Sequence, residues 1–330
     1  MTREELLDPF NRLLEERCSA TAVRAIEAEG PAETLWNEIA ASGYLDALVG
    51  EEAGGAGLAL GDITPLLMAL GRHAVPLPVG DTMIARALLS RHGITPPDGP
   101  IVIAAGSASA PLPLAATAGH ALVEHDGALV LASLSQAERV PTGEPHMLAR
   151  FLVRQDRPSG PALPAGSVDL AALSAILSAA AIAGAGDRLL EMTVAYANDR
   201  VQFGKPIGKQ QALQQQLAVM AEQVVAARMA AEIGCAAGLD GNRTAAAVAK
   251  RIASAAAVVI ADTAHAIHGA IGISEEHDLQ LFTRRVRASR IAAGGESYWA
   301  EKLGRLRIQA AHLTTVDFIR ERIAPSETAA

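Results

Sequence analysis

The sequence predicts a mainly α chain with a small middle β domain and a C-terminal helical bundle. Three observations predict it. First, half of the 330 residues are hydrophobic but aromatics are only 3%, so Ala, Leu, Ile and Val carry the apolar content. Ala and Leu are strong helix formers, and small side chains let helices pack closely. Second, prolines at 96, 97 and 100, and again at 158, 161 and 164, bracket a stretch with strand patterning. Third, the chain beyond them reads as long apolar helices joined by short turns, which favours antiparallel packing. The expected parts are an N-terminal helical domain over 1–94, a reduced middle β domain over 95–166 and a C-terminal bundle over 167–330.

From Leu7 to about His92 the pattern is helical with short breaks. Leu35, Ile39 and Ala40 recur at helical spacing, Trp36 adds bulk, and Gly43 ends that segment. Residues 51–57, reading EEAGGAG, form a turn-rich loop. Asp62 is placed to cap the next helix, which runs to about Gly71. Pro76 and Pro78 make a stiff link, and Asp81 precedes a helical run over 82–91. In the middle, 101–105 reads as a strand. Residues 121–124 and 128–132 flank His125-Asp126-Gly127, a hairpin signal. A further strand is expected over 148–153. In the last half, helices are expected over 168–198, 209–239, 244–268 and 279–293. Another begins near Glu296 and ends before Pro325 or at a break within that stretch. A Gly-bearing turn occupies 269–274.

Composition narrows the function classes. Formal net charge is -8 with no long basic tract, which argues against binding nucleic acid through a general phosphate footprint. Arg284, Arg285, Arg287 and Arg290 would cover a broad side of one helix, as a solvated or subunit-facing surface or as a phosphate contact. Cys18 and Cys235 show no metal or redox spacing, and a reduced, cytoplasmic setting is the simple expectation. Thr2, Arg3, Glu4 and Glu5 open the chain with no apolar signal region behind them. The most apolar stretch, 170–186, is bounded by Asp169 and Asp187 and is slightly short for a membrane span. It fits a buried bundle helix. No membrane span and no metal site are expected.

Three segments carry a family resemblance. Residues 196–211 read YANDRVQFGKPIGKQQ. Residues 268–272 read HGAIG, followed by Glu276-His277-Asp278-Leu279 and Arg284-Arg285. The first part adds Trp36, Gly43, Glu51-Glu52, Gly54-Gly55, Gly57-Leu58 and Leu70-Gly71-Arg72. In this order and separation they resemble the acyl-CoA dehydrogenase family, most of all the shortened subunits of its heteromeric members. The resemblance spans most of the chain. It implies a three-domain fold and FAD-dependent α,β-dehydrogenation of an acyl-CoA thioester, with fatty or steroid-derived acyl groups as substrate class. It also implies a homologous full-length subunit as partner and an electron-transfer flavoprotein as possible acceptor.

The residues allow this chemistry without requiring it. Gly204 and Pro206 shape a tight connection between helices. Arg200, at a helix end, has donors for a pyrophosphate, or for a salt bridge or the helix C-terminus. Phe203 offers a flat apolar face, and Gln211 a polar group for a nucleotide edge. Gly269 and Gly272 permit close backbone approach, or form an ordinary turn. The resemblance implies that Arg200, Phe203 and the 269–272 loop reach FAD held mainly by a neighbouring subunit, hence at least a dimer. His268 reads as a structural histidine.

The chain also departs from the family. Ala266 and Ala270 stand where Gln and Gly are usual. The family's chemistry needs a carboxylate to remove the α proton, a flavin to accept hydride from the β carbon, and hydrogen bonds to the thioester carbonyl. Ungapped matching puts the usual Glu at Ala293, beside Gly294. Glu296, three residues on, is the catalytic candidate, or else a helix N-terminal charge beside Ser297. The family's alternative base position falls near Ala175, and no Asp or Glu lies within 170–186. The Thr-Glu-Pro-type loop of the middle domain is not found, and Ala105-Gly106-Ser107 and Ala118-Gly119 do not replace it. Three readings remain: one subunit of a heteromeric enzyme, a self-sufficient homo-oligomer using Glu296, or an inactive binding or assembly paralogue.

Overall fold

The computed structural model describes residues 3–104, 113–135, 137–141, 149–152, 160–164, 166 and 168–323. Five helices come first: α1 (Arg3–Arg17), α2 (Ala20–Glu27), α3 (Glu33–Ala41), α4 (Thr64–Arg72) and α5 (Val79–Arg91). Ser19 starts α2 by accepting the Ala22 N–H at 3.2 Å, which satisfies one of the donors a helix start leaves open. Asp62 does not cap α4. Its carboxylate accepts the N–H of Ala59 at 2.9 Å, and α4 follows Ile63 with no side-chain cap. An Asp can serve a local turn as readily as a helix end, and here the turn takes it. Helix α5 begins three residues before the expected 82, so Asp81 lies within its first turn.

Side chains of α5 hold the first strand. The Ile101 N–H donates to Thr82 Oγ1 at 2.9 Å, and the Ile103 N–H to Asp81 Oδ1 at 3.1 Å. That strand, β1 (Ile101–Ala104), is the edge of a four-stranded sheet of order β1-β2-β3-β6, with β2 at His120–His125, β3 at Ala128–Ser133 and β6 at Ala162–Leu163. Helix α5 therefore covers an edge whose N–H groups would otherwise be open. Strands β2 and β3 form the expected hairpin. Asp126 and Gly127 at its tip have φ of 48° and 79°, as a two-residue primed turn demands. Strands β4 (Glu138–Pro141) and β5 (Ala149–Leu152) pair separately, β5 within the expected 148–153. Residues 105, 148 and 153 lie outside the described residues, as do 106 and 107. The period-2 alternation of strands sends Ile101, Ile103, Leu122, Leu129 and Leu131 into the main helical core. Val102, Ala121, Val123 and Val130 form a smaller core on the other face.

The last half is α6 (Leu170–Asp199), a two-strand hairpin of β7 (Val201–Gln202) and β8 (Lys205–Pro206), then α7 (Gln211–Ala236), α8 (Arg243–His268), α9 (Leu279–Ile291), α10 (Glu296–Gln309) and α11 (Thr315–Arg322). Asp169 caps α6 through the Ala172 N–H at 3.0 Å, and Asn242 caps α8 through Thr244 and Ala245. The stretch expected from Glu296 onward breaks after Gln309. Helix α6 is the hub of the fold and lies on α4, α7, α8 and α9. Two glycines set its crossing with α4. A Cβ on Gly184 would fall on the Met68 carbonyl oxygen, and one on Gly71 on that of Ala181. The two helices meet main chain to main chain.

The arginine cluster divides between buried and solvated positions, and each of its members is paired with a carboxylate. Arg285 is buried against Glu27 at 2.8 Å, with side-chain exposures of 12% and 9%. Arg287 pairs with Asp262 and Arg290 with Glu296. Two helices, α6 and the stretch from Arg243 to Ile273, are long and apolar enough to cross a membrane. The first outruns the expected 170–186, and the most apolar window of each is 67% buried inside the protein. Cys18 and Cys235 are free thiols.

Candidate functional site

Two of the three segments singled out in the sequence, 196–211 and 268–279, meet at one end of the bundle. Tyr196, in the last turn of α6, stacks on His268, the last residue of α8, with ring centroids 4.4 Å apart. His268 meets His277 edge-on at 4.8 Å. The Tyr196 hydroxyl donates to the His268 carbonyl at 3.4 Å. Burial holds the His268 imidazole below its ordinary pKa, and Nδ1 lies 2.8 Å from the Ala264 carbonyl. A neutral ring is the form that stacks at least cost in such a place. This stack brings the β7–β8 hairpin beside the 269–273 turn.

The hairpin turns on Phe203 and Gly204, with φ of 52° and 77°. A large side chain in that region is uncommon, and Phe203 is 93% exposed. The two-residue primed turn between β7 and β8 demands the positive φ, but no described contact accounts for a bulky, exposed aromatic at that position. Arg200 and Gln211 are exposed beside it. The Arg200 side chain makes no hydrogen bond or ion pair among the described residues, although its backbone N–H closes α6 on Tyr196 and its carbonyl accepts from Ile207. The two glycines of the 269–273 turn differ. Gly269 is exposed, has φ of 63°, and a Cβ there would meet nothing. Gly272 is buried, and a Cβ would lie 2.9 Å from Leu279 and 3.0 Å from His268. Gly269 faces outward, whereas Gly272 serves internal packing.

Glu296 is not part of this group. It opens α10, and both oxygens accept from Arg290, Oε2 from Nε at 3.2 Å and Oε1 from Nη2. These bonds, first of all, hold its pKa below the usual carboxylate value, aided by its own backbone N–H. The 292–295 turn before it places Ala293 at φ 54° and Gly294 at 91°. Trp299 donates from Nε1 to the Ala293 carbonyl at 2.8 Å. Beneath this turn lies Lys250, fully buried in α8. Its Nζ donates to the carbonyls of Ser289 at 2.5 Å and Arg290 at 2.9 Å, and to Ser254 Oγ at 3.1 Å. Burial pulls the Lys250 pKa down to about 7, while a helix C-terminus is a favourable place for its charge. Lys250 precedes His268 by 18 residues on α8, roughly 27 Å at 1.5 Å per residue. The hairpin end and the Glu296 end are therefore separate places.

A cleft of about 110 Å³ lies between α4, α5, α6 and α9. Leu67, Leu70, Leu177 and Ala288 are among its apolar walls, and its polar lining comes from Asp81, Arg285 and Ser289. Asp81 is half-buried, and desolvation raises its pKa from 3.8 to about 7. Neither Lys250 nor this cleft was read from the sequence. A lone Lys within the Ala-rich 244–268 run was a visible signal for the first.

Residues 171–305 match the family described as acyl-CoA dehydrogenase, C-terminal domain. The acyl-CoA dehydrogenase IpdE2 of Mycobacterium tuberculosis is 34% identical over 301 residues, which cover 87% of this chain and 91% of the relative. The chain belongs to the acyl-CoA dehydrogenase family. IpdE2 of Mycolicibacterium smegmatis is 32% identical, over 87% of this chain and 93% of the relative. Among solved structures, a chain of a variant of the Tcur3481–Tcur3483 steroid ACAD superposes with a TM-score of 0.81 at 25% identity, over 94% of this chain and 100% of that one. A chain of the ChsE4–ChsE5 complex from Mycobacterium tuberculosis has a TM-score of 0.76 at 20% identity, over 95% and 98%, and shares the fold. The helix–sheet–helix order described above is thus an acyl-CoA dehydrogenase architecture in shortened form.

Proposed function

We propose that this chain is one subunit of a heteromeric, FAD-dependent acyl-CoA dehydrogenase, and that it completes a cofactor site held mainly by a homologous full-length subunit. The carrying observation is Phe203, 93% exposed on a positive-φ turn. An aromatic ring held out in this way is stabilised when a flat partner covers it. The neighbouring groups fit a dinucleotide. Arg200 has an exposed guanidinium, unpaired among the described residues, for a pyrophosphate, and Gln211 an exposed amide for a polar edge. Gly269 leaves open space where a side chain would stand. When bound, the flavin accepts the hydride from the substrate β carbon. The residues of this chain bind and orient it and shield its edge from water.

The α-proton acceptor is assigned to the partner. Ala293 has no titratable group. Glu296 is tied to Arg290 and is a weak base for that reason, because a depressed pKa lowers the driving force for taking a proton. Its pairing suits a fixed charge at the start of α10. The similarity to a steroid ACAD supports a steroid-derived acyl-CoA as substrate class.

The test is co-expression with a full-length homologous subunit from the same genome, followed by the visible spectrum of the purified complex. Flavin bands are expected in the complex and not in this chain alone. Arg200→Ala and Phe203→Ala are expected to lower flavin occupancy while leaving the melting temperature of this chain almost unchanged, since exposed substitutions fall within about 0.5 kcal/mol. Glu296→Gln is expected to leave flavin reduction by acyl-CoA intact. A homo-oligomer of this chain alone, holding one FAD per chain and losing reduction in Glu296→Gln, would overturn the reading in favour of a self-sufficient enzyme.

A further inference from the structure

Three histidines sit beneath the β7–β8 hairpin and the 269–273 turn. His268 and His277 belong to the stack with Tyr196. His265 lies one turn before His268 on α8, and its Nε2 is 2.9 Å from Thr283 Oγ1 on α9. A Cβ on Gly272 would lie 3.5 Å from His265 Nδ1, so the turn rests on this ring as well. A carbonyl only accepts, so His268 Nδ1 carries the hydrogen that faces Ala264. His277 Nδ1 accepts the Leu279 N–H at 3.1 Å and so helps to start α9. The other nitrogen of His268, Nε2, and Nδ1 of His265 are buried without a hydrogen-bond partner among the described residues. A proton added at either would find no acceptor, and a proton on His277 Nδ1 would displace the Leu279 N–H. The charges nearby are already committed. Asp262, which bears on His265, pairs with Arg287 at 2.8 Å. Asp278, beside His277, pairs with Arg24 at 2.8 Å, and Glu276 is exposed. Helix α6 brings Tyr196 to this place, and α7 brings the apolar Leu213 and Leu217.

We propose that His265, His268 and His277 form a proton-sensitive seat that holds the hairpin and the 269–273 turn in register at neutral pH and releases them on acidification, so that the cofactor site is assembled only when the seat is neutral. Histidine is the side chain whose ordinary charge change falls between pH 5 and 8. Burial, first of all, holds His265 and His268 below the ordinary 6.5. Arg287 adds to this at His265, and the other two histidines add to it at His268. Opened to water, the rings regain their ordinary value and bind protons more readily. The closed seat is therefore fully favoured above about pH 6.5 and is lost as pH falls through the lowered values. The link to the cofactor rests on the subunit reading above, whereas the seat itself is a property of this chain.

The experiment uses the full chain with ring-labelled tyrosine. Its three tyrosines give separate NMR signals, and Tyr196→Phe assigns the one in the stack. Between about pH 7.5 and about pH 5, the Tyr196 signals are expected to move with a midpoint below 6.5 while those of Tyr44 and Tyr298 hold still. His268→Phe keeps a ring against Tyr196 and cannot ionise, and His268→Asn keeps a donor for the Ala264 carbonyl. Each is expected to remove most of the movement. Tyr196 signals that stay fixed in the unmodified chain would overturn the seat, whatever the variants do to folding. Movement of all three tyrosines together would be general unfolding and would overturn it equally. In the complex with the full-length subunit, FAD affinity is expected to fall about tenfold per pH unit below the midpoint, for one proton taken up on release. An affinity that does not change over this range would overturn the release. A complex that holds no FAD at any pH would overturn the subunit assignment and leave the Tyr196 titration standing, so the two failures are distinguishable.

Discussion

At the residue scale, Asp81 sits where a carboxyl is least comfortable. Its pKa rises from 3.8 to about 7 because burial penalises the charge, and the Ile103 N–H only partly offsets this. The folded chain therefore holds a proton that the unfolded chain has released between those two values. The stability this contributes is fully present below about pH 4 and is lost as pH rises through about 7. The displacement corresponds to roughly 4 kcal/mol at most. Asp81→Asn keeps an acceptor for Ile103 and cannot ionise. It is expected to melt higher than the unmodified chain at pH 8, with the gap closing toward pH 4, in paired thermal unfolding scans. A gap that stays constant with pH would mean that Asp81 titrates alike in the folded and unfolded chain. The role of this residue was not legible in the sequence, where it stood as the residue before a helix. The cleft that makes it unusual joins the neighbouring helices α4 and α5 to α6 and α9, which lie much further along the chain. The hairpin residues were legible because Arg200, Phe203 and Gln211 lie in one contiguous segment.

At the scale of elements, the α4–α6 crossing is set by backbone. Gly184 faces the Met68 carbonyl and Gly71 faces that of Ala181, so no rotamer change relieves an added methyl. Gly184→Ala is expected to cost about 3 kcal/mol, the upper end for overpacking, despite the better helix propensity of Ala. Denaturant titration measures it, and a neutral result would mean that the helices slide apart freely. The helices themselves were readable because their starts are local. Asp169 and Asn242 each cap within three residues. Asp62 misled for the same reason, since an equally local turn competed for its carboxylate. Strand pairing was less legible. The β2–β3 hairpin announces itself through Asp126-Gly127, whereas the parallel β1–β2 pair and the two-residue β6 depend on contacts that no short pattern encodes.

At the scale of the whole molecule, several ion pairs tie the first helices to the last half, among them Arg24–Asp278 and Arg72–Asp187, and one of them is buried on both sides. Arg285 on α9 donates to Glu27 at the end of α2, 258 residues away in sequence. Both side chains are almost fully buried. Removing one partner strands a charge, and Arg285→Met alone is expected to cost about 3–5 kcal/mol. Glu27→Leu with Arg285→Met is expected to recover most of that, since an apolar pair of similar volume replaces the ions without desolvating them. A double variant as unstable as the single one would show that Arg285 matters for its other contact, the Val75 carbonyl. This pairing explains why a stripe of arginines resembled an open surface in one dimension. Arg284 and Arg285 find their partner, Glu27, near the other end of the chain, whereas Arg287 and Arg290 pair closer by, with Asp262 and Glu296.

The glycine contacts between α4 and α6 also bear on how this protein can change over generations. Gly71 and Ala181 both border the cleft, and there its wall is main chain. Substituting side chains cannot deepen a wall that has none to trim. Relatives that adapt to larger ligands must do so at Leu67, Leu70, Leu177 or Ala288, or by moving a whole helix. The same contact that makes the bundle firm thus leaves the cleft with few directions in which to evolve.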